Sequence, residues 1–92
     1  MIITAHFYGI LADWVGTPSA VFDLSAGATV ADLMHEIGRR YQRNMPEQLW
    51  DRKTDSFKKQ VRAQGTAIAY NDLNMPLGKG EEIIFMLLIA GG

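Results

Sequence analysis

Few side chains in this sequence suggest chemistry, and they are scattered. There is no cysteine, which removes disulfides, thiolate zinc sites and cysteine nucleophiles together. His6 and His35 are too isolated to suggest a metal site, and His35 is expected to be solvated on a helix. No serine, histidine and acid grouping stands out, and lysines near the end of the chain are too few for Schiff-base chemistry. Arg52, Lys53, Lys58, Lys59 and Arg62 form a basic group with no glycine-rich phosphate motif beside it, and they read as a solvated loop. Asp13 and Trp14 read as a hairpin loop with a packed indole, and Trp50 as a packing anchor. What remains is backbone. The sequence finishes with an apolar run, Ile83 to Ala90, followed at once by Gly91-Gly92. Glycine has no Cβ, so a glycine pair is the thinnest peptide available and tolerates unusual φ/ψ. At average usage, two specified glycines coincide by chance in roughly 0.5% of chains. A working group at this place would be the carboxylate of Gly92.

The bulk properties agree with a function at a terminus, an edge or a surface. Ninety-two residues, 48% hydrophobic and 21% charged, are expected to form one domain, 1–92, with a flexible Gly-Gly tail. A domain of that size buries one core and leaves little room for a deep catalytic cleft. The formal net charge of −1 supplies no field to draw in nucleic acid or anionic lipid, so neither is an expected partner. Met1 to His6 carries no basic-then-apolar signal segment, and the run from Ile83 to Ala90 is too short to span a bilayer. A cytoplasmic protein is expected.

Elements must hold that terminus. Ile2 to Tyr8 alternates as a strand, with Ile3, Ala5 and Phe7 on one face and Ile2, Thr4, His6 and Tyr8 on the other. Gly16-Thr17-Pro18 reads as a turn and Ala20 to Leu24 as a second strand. The two form an antiparallel hairpin whose long loop holds Asp13 and Trp14. Thr29 and Asp32 have the spacing of a capping box that opens a helix. Val30, Leu33, Met34, Ile37 and Tyr41 share one side of it, while Asp32, Glu36, Arg39, Arg40 and Arg43 share the other, with the arginines late, where the helix dipole favours them. Gly38 weakens this helix by about 1 kcal/mol relative to alanine, and Asn44 and Pro46 mark its end. Burying each large apolar side chain of the stripe contributes about 1.5–3 kcal/mol before entropy, and a sheet is needed to receive them.

From Pro46 to Gln64 the pattern is weak: a helical turn at Glu47 to Trp50, an exposed loop at Asp51 to Asp55, and an edge strand or further loop from Phe57 to Ala63. Thr66 to Tyr70 reads as a strand ended by Asn71-Asp72. Met75-Pro76-Leu77 reads as a short turn, and Gly78 to Glu82 as a polar turn into the last strand. That strand, Ile83 to Ile89, is apolar throughout, as in the middle of a sheet. Laid beside the first strand, with the helix across one face, it completes an α+β fold of the β-grasp, ubiquitin-like kind, with a mixed sheet.

The ending Gly80-Glu81-Glu82, an apolar strand with Phe85 at its centre, and Gly91-Gly92 resembles the MoaD/ThiS family of sulfur carriers. So do the opening strand Ile2–Tyr8, Leu11, the Val15-Gly16-Thr17 turn and Thr29-Val30-Ala31-Asp32-Leu33, while Asn71 stands where many members have Asn-Gly. Roughly two-thirds of the chain is covered, and only the tail is specific. Leu87 and Leu88 stand where MoaD-like tails carry a proline pair, and Ile89-Ala90-Gly91-Gly92 is nearer to ThiS-like tails. Chain length and the long first hairpin favour MoaD. The resemblance implies a carrier that is not itself an enzyme. A ubiquitin-activating-enzyme-like adenylyltransferase would thread Ala90, Gly91 and Gly92 to ATP, which the partner uses and this chain does not retain. AMP on the Gly92 carboxylate makes a mixed anhydride that sulfur can attack, and the resulting thiocarboxylate would be donated in molybdenum or tungsten cofactor synthesis. The receiving partner would be a molybdopterin synthase large subunit. Alternatives are a ThiS-like donor to thiazole synthase, a modifier ligated to lysines as ubiquitin is, and an interaction domain with an inert tail. No permanently bound cofactor or metal is implied.

Strand alternation adds a docking surface. If Ile83, Phe85, Leu87 and Ile89 face the helix, then Ile84, Met86 and Leu88 emerge on the opposite face beside His6 and Tyr8, an apolar patch of the kind that marks a protein interface. Methionine there suits a surface that serves more than one partner. The competing expectation is that Pro46 to Gln64 folds over the patch.

Overall fold

The structure is a computed structural model that describes residues 1–65 and 72–87. Ile2–Phe7 forms β1 and Ser19–Asp23 forms β2, antiparallel as expected, with Ala5 opposite Ala20. Between them lies a short helix, α1 (Ile10–Val15), where the sequence suggests only loop. Leu11 and Val15, four residues apart, are both fully buried, so one apolar pair on a single helical turn plugs this end of the core. Gly16, at φ 96°, ends α1 in the left-handed conformation and donates its N–H to the Ala12 carbonyl, a conformation that glycine adopts without a Cβ penalty.

The main helix α2 (Val30–Tyr41) carries the capping box read from the sequence. The Asp32 carboxylate accepts from the Thr29 N–H at 2.8 Å. Its other exposed donors are met across the fold: the Val30 N–H donates to the Met75 carbonyl at 2.9 Å and the Ala31 N–H to that of Leu73 at 2.8 Å. The turn at residues 72–77 therefore closes the start of α2 and satisfies N–H groups that a helix cannot satisfy internally. Val30, Leu33, Met34 and Ile37 are buried in one core with Ile3, Ala5, Phe7, Ile83 and Phe85.

Beyond α2 the chain passes through a 3₁₀ turn (Gln42–Asn44) into a small hairpin of β3 (Trp50–Asp51) and β4 (Ser56–Phe57). The loop expected at Asp51 to Asp55 is the turn of this hairpin. β5 (Val61–Gln64) is an edge strand, one of the two alternatives for that stretch. β6 (Glu82–Leu87) runs parallel to β1, with Phe7 opposite Phe85, and antiparallel to β5. The sheet order is β2-β1-β6-β5, which puts the apolar last strand inside the sheet and α2 across one face. This is the β-grasp arrangement expected from the sequence. The strand expected at Thr66 to Tyr70, the Asn71 position, and Leu88, Ile89, Ala90, Gly91 and Gly92 lie outside the described residues.

Gly38 has a role that its helix propensity conceals. Trp50, 2% exposed, lies against it so closely that a Cβ there would stand 2.6 Å from Trp50 Cζ2 and 2.9 Å from Asp55 Oδ1. Alanine would gain about 1 kcal/mol in helix propensity, yet forcing one buried group into another costs about 1–3 kcal/mol. The neighbour here is the rigid ring of a buried tryptophan, so the clash wins. Gly38→Ala is expected to lower stability by about 1 kcal/mol net and to blue-to-red shift Trp50 emission as the hairpin lifts. A gain in the urea midpoint would contradict this packing.

The hairpin is also tied at its turn, where His35 Nδ1 and Asp55 Oδ2 lie 2.5 Å apart. The hydrogen bond and then the charge of Asp55 raise the His35 pKa above its ordinary 6.5, with smaller influences from Glu36 upward and Arg39 downward. A raised folded-state pKa means that this stabilisation is complete below about pH 6.5 and is lost as pH rises through the folded value. An NMR titration of the His35 ring should have its midpoint above 6.5, and Asp55→Asn should bring it down. A midpoint insensitive to that substitution would remove the pair as the cause.

Candidate docking face and C-terminal tail

Among the described residues, nothing packs over the sheet face away from α2. Side chains alternate along each strand, so Ile3, Ala5, Phe7, Ile83 and Phe85 are buried while Ile2, Thr4, His6, Glu82, Ile84 and Met86 point the other way. Register sets them side by side. His6 is opposite Ile84, and Ile84 is opposite Gln64, so one row crosses β1, β6 and β5. Four of the five residues assigned to the docking face from sequence, His6, Tyr8, Ile84 and Met86, line a common groove of about 640 Å³ with Gln64, Gly65 and Glu82. The fifth, Leu88, lies outside the described residues.

Pro46 to Gln64 does not cover this groove. Trp50 packs on Gly38 of α2, and Phe57 packs on Phe85 with ring centroids 5.1 Å apart, both on the helix side. β5 borders the groove at its edge through Gln64. Large apolar side chains accordingly remain in solvent on this face, with Ile2 50%, Tyr8 52% and Val21 56% exposed. At the far edge, Arg40 Nη1 donates to the Val21 carbonyl at 3.0 Å and its guanidinium lies 4.2 Å from the Phe22 ring centroid. That contact occupies a carbonyl on the edge strand β2 and blunts edge-to-edge pairing.

The polar feature of the groove is one that sequence reading missed. His6 Nε2 and Glu82 Oε1 lie 2.8 Å apart, joining β1 to the first residue of β6. Glu82 reads from sequence only as part of a polar turn. The parallel register, which sets Thr4 opposite Glu82 and His6 opposite Ile84, is what brings its carboxylate to the imidazole. Alternation along the strand was the available signal, since Glu82, Ile84 and Met86 share one parity.

The end of β6 bears on the tail. The Tyr8 N–H donates to the Phe85 carbonyl at 3.0 Å and Leu87 is opposite Val61, so the chain leaves the described sheet at the Tyr8 and Met86 end of the groove. Ala90, Gly91 and Gly92 follow in sequence and lie outside the described residues. Among the described residues no three His, Asp or Glu side chains are grouped to hold a metal ion, and no helix is long and apolar enough to cross a membrane.

No protein-family model matches the chain, and no curated protein matches it. Solved structures do. SAMP1 from Haloferax volcanii superposes with a TM-score of 0.81 at 15% identity over 100% of both chains. A Pyrococcus furiosus chain described as molybdopterin converting factor subunit 1 superposes at 0.73 with 17% identity, over 97% of this chain and 99% of that one. A chain from the BexX/CysO complex of Amycolatopsis orientalis gives 0.63 with 17% identity, over 98% and 99%. The chain has their fold. The likeness covers nearly the whole of each of these chains, including one solved in a complex with CysO.

Proposed function

We propose that this chain is a sulfur carrier whose reactive group is the carboxylate of Gly92, and that it serves as the small subunit of a molybdopterin-synthase-like complex. The observation that carries the reading is a juxtaposition. The groove, apolar at its Ile84 and Met86 end, stands where the described part of the last strand finishes at Leu87, and Ala90-Gly91-Gly92 follow Leu88-Ile89 in the sequence. In the first step a Gly92 carboxylate oxygen attacks the α-phosphorus of ATP and pyrophosphate leaves. In the second, a hydrosulfide equivalent attacks the acyl carbon and AMP leaves with the bonding pair, giving the thiocarboxylate. ATP and the groups that catalyse these steps belong to an adenylyltransferase partner in the cytoplasm. The carrier contributes positioning, since holding the acyl group in an enzyme's site replaces a bimolecular encounter. The sulfur is then delivered to a pterin precursor on a large-subunit partner.

Incubation with ATP, sulfide and an adenylyltransferase of the ubiquitin-activating type, followed by intact mass, is the test. The expected product is heavier by the difference between sulfur and oxygen, placed on Gly92 by fragmentation, and a chain lacking Gly92 should gain nothing. Unchanged mass in the full chain, or a native product that extends past Gly92, would overturn the reading.

The likeness to small archaeal modifier protein 1 supports a second reading, in which the same adenylate is passed to a lysine amine. It predicts isopeptide conjugates through Gly92 in cell lysate. Donation to a thiazole synthase, favoured by the Ile89-Ala90-Gly91-Gly92 ending, is separated by which acceptor removes the sulfur.

A further inference from the structure

The groove on the open face is polar at one end and apolar at the other, which specifies more of its partner than apolar area alone. Glu82 marks the polar end, with its side chain 65% exposed and only Oε1 engaged, by His6, whose own side chain is 31% exposed. Successive face residues of β6 stand about 6.6 Å apart, so Ile84 lies one step from the carboxylate and Met86 two. Among the described residues, no lysine or arginine lines the groove. Arg62, on this side of the sheet, is opposite Met86, at the other end.

We infer that the groove takes a partner segment bearing an arginine, its guanidinium on Glu82 and its stem along Ile84, with an apolar neighbour on Met86 and Tyr8. A guanidinium offers two parallel donors to a carboxylate, and Glu82 Oε2 accepts from no group among the described residues. An arginine stem spans one face step and covers apolar surface while its head stays polar. Arg62 repels the reverse orientation, so the segment has a defined direction over the sheet. The inference rests on the reading of this face as the docking surface and names the chemistry that surface selects.

The test uses two blocked peptides, acetyl-Leu-Arg-Leu-amide and acetyl-Leu-Gln-Leu-amide, titrated into the full chain and followed by NMR. Saturable shifts are expected at His6, Tyr8, Ile84 and Met86, with the arginine peptide bound about fivefold more tightly, the upper range for a partly exposed ion pair. Glu82→Gln preserves the side-chain shape and should reduce that preference to none while the remaining spectrum stays dispersed. Equal affinity for the two peptides, arginine preference that survives Glu82→Gln, or no saturable shift with either would each overturn the inference. Equal binding of both peptides at these residues would leave the face as a docking surface and remove only its charge selectivity. Sulfur loading of Gly92 is measured separately and does not enter the result.

Discussion

Met86→Glu is expected to weaken binding to the proposed activating enzyme by at least about thirtyfold, or roughly 2 kcal/mol, while leaving the fold in place. Met86 is half-buried on the open face and lines the groove with Tyr8 and Ile84. Docking there would remove the introduced carboxylate from water, and an apolar partner surface cannot repay that loss of hydration. The free protein is insulated from the same change. Arg62 is directly opposite on β5 and can pair with the carboxylate in solvent, an interaction contributing about 0–1 kcal/mol, which offsets the poorer strand propensity of glutamate. Calorimetry against the adenylyltransferase proposed to load Gly92, with a thermal melt of the variant alone, separates the two effects. Unchanged affinity would remove this face from docking, and a large fall in melting temperature would show that Met86 is structural.

Phe85→Ala is expected to have the opposite profile, with stability lost first and loading only as a consequence. Phe85 is fully buried at the centre of β6. Its ring stacks on Phe7 at a centroid distance of 5.7 Å and packs against Phe57 at 5.1 Å. Truncation of a buried phenylalanine costs about 3–5 kcal/mol, and a domain of this size has about 5–14 kcal/mol in total. The variant should therefore unfold at a much lower urea concentration, with an unchanged slope if its denatured state is unaltered. A loss under about 1 kcal/mol would mean that the cluster collapses around the vacancy. Because Phe57 brings β4 onto Phe85, the same substitution should loosen the hairpin, which Trp50 emission would report.

The two substitutions sit on neighbouring residues of one strand and differ only in parity. That parity was legible early. The alternation of Ile2 to Phe7 and the apolar run from Ile83 onward predicted which residues would be buried and which would share the open face, and His6, Tyr8, Ile84 and Met86 do line one groove. The helix was equally plain, since a capping box and an apolar stripe are local signals spread over neighbouring turns. α1 escaped notice because its six residues, Ile10–Val15, are too short a window for their apolar pairs to stand out as a helical period. The β3–β4 hairpin escaped because its two-residue strands hold together through Trp50 and Phe57, whose partners on α2 and β6 are distant in sequence.

By itself, then, the sequence determined the elements with strong periodicity, the two faces of its strands, and the glycine pair on which the proposed chemistry depends. All of these are consequences of residue order over a few positions. Only the tertiary structure decided that β6 pairs parallel with β1 in the register that joins His6 to Glu82. It also decided that Gly38 is the floor under Trp50, and that residues 46–64 leave the groove open. The physical reason is range. Side-chain parity and capping are set within a turn or two of chain, whereas a register shift of one residue would invert a strand's faces. Nothing local to β6 distinguishes the correct pairing from its neighbours until Phe85 meets Phe7 and Phe57 in a closed core.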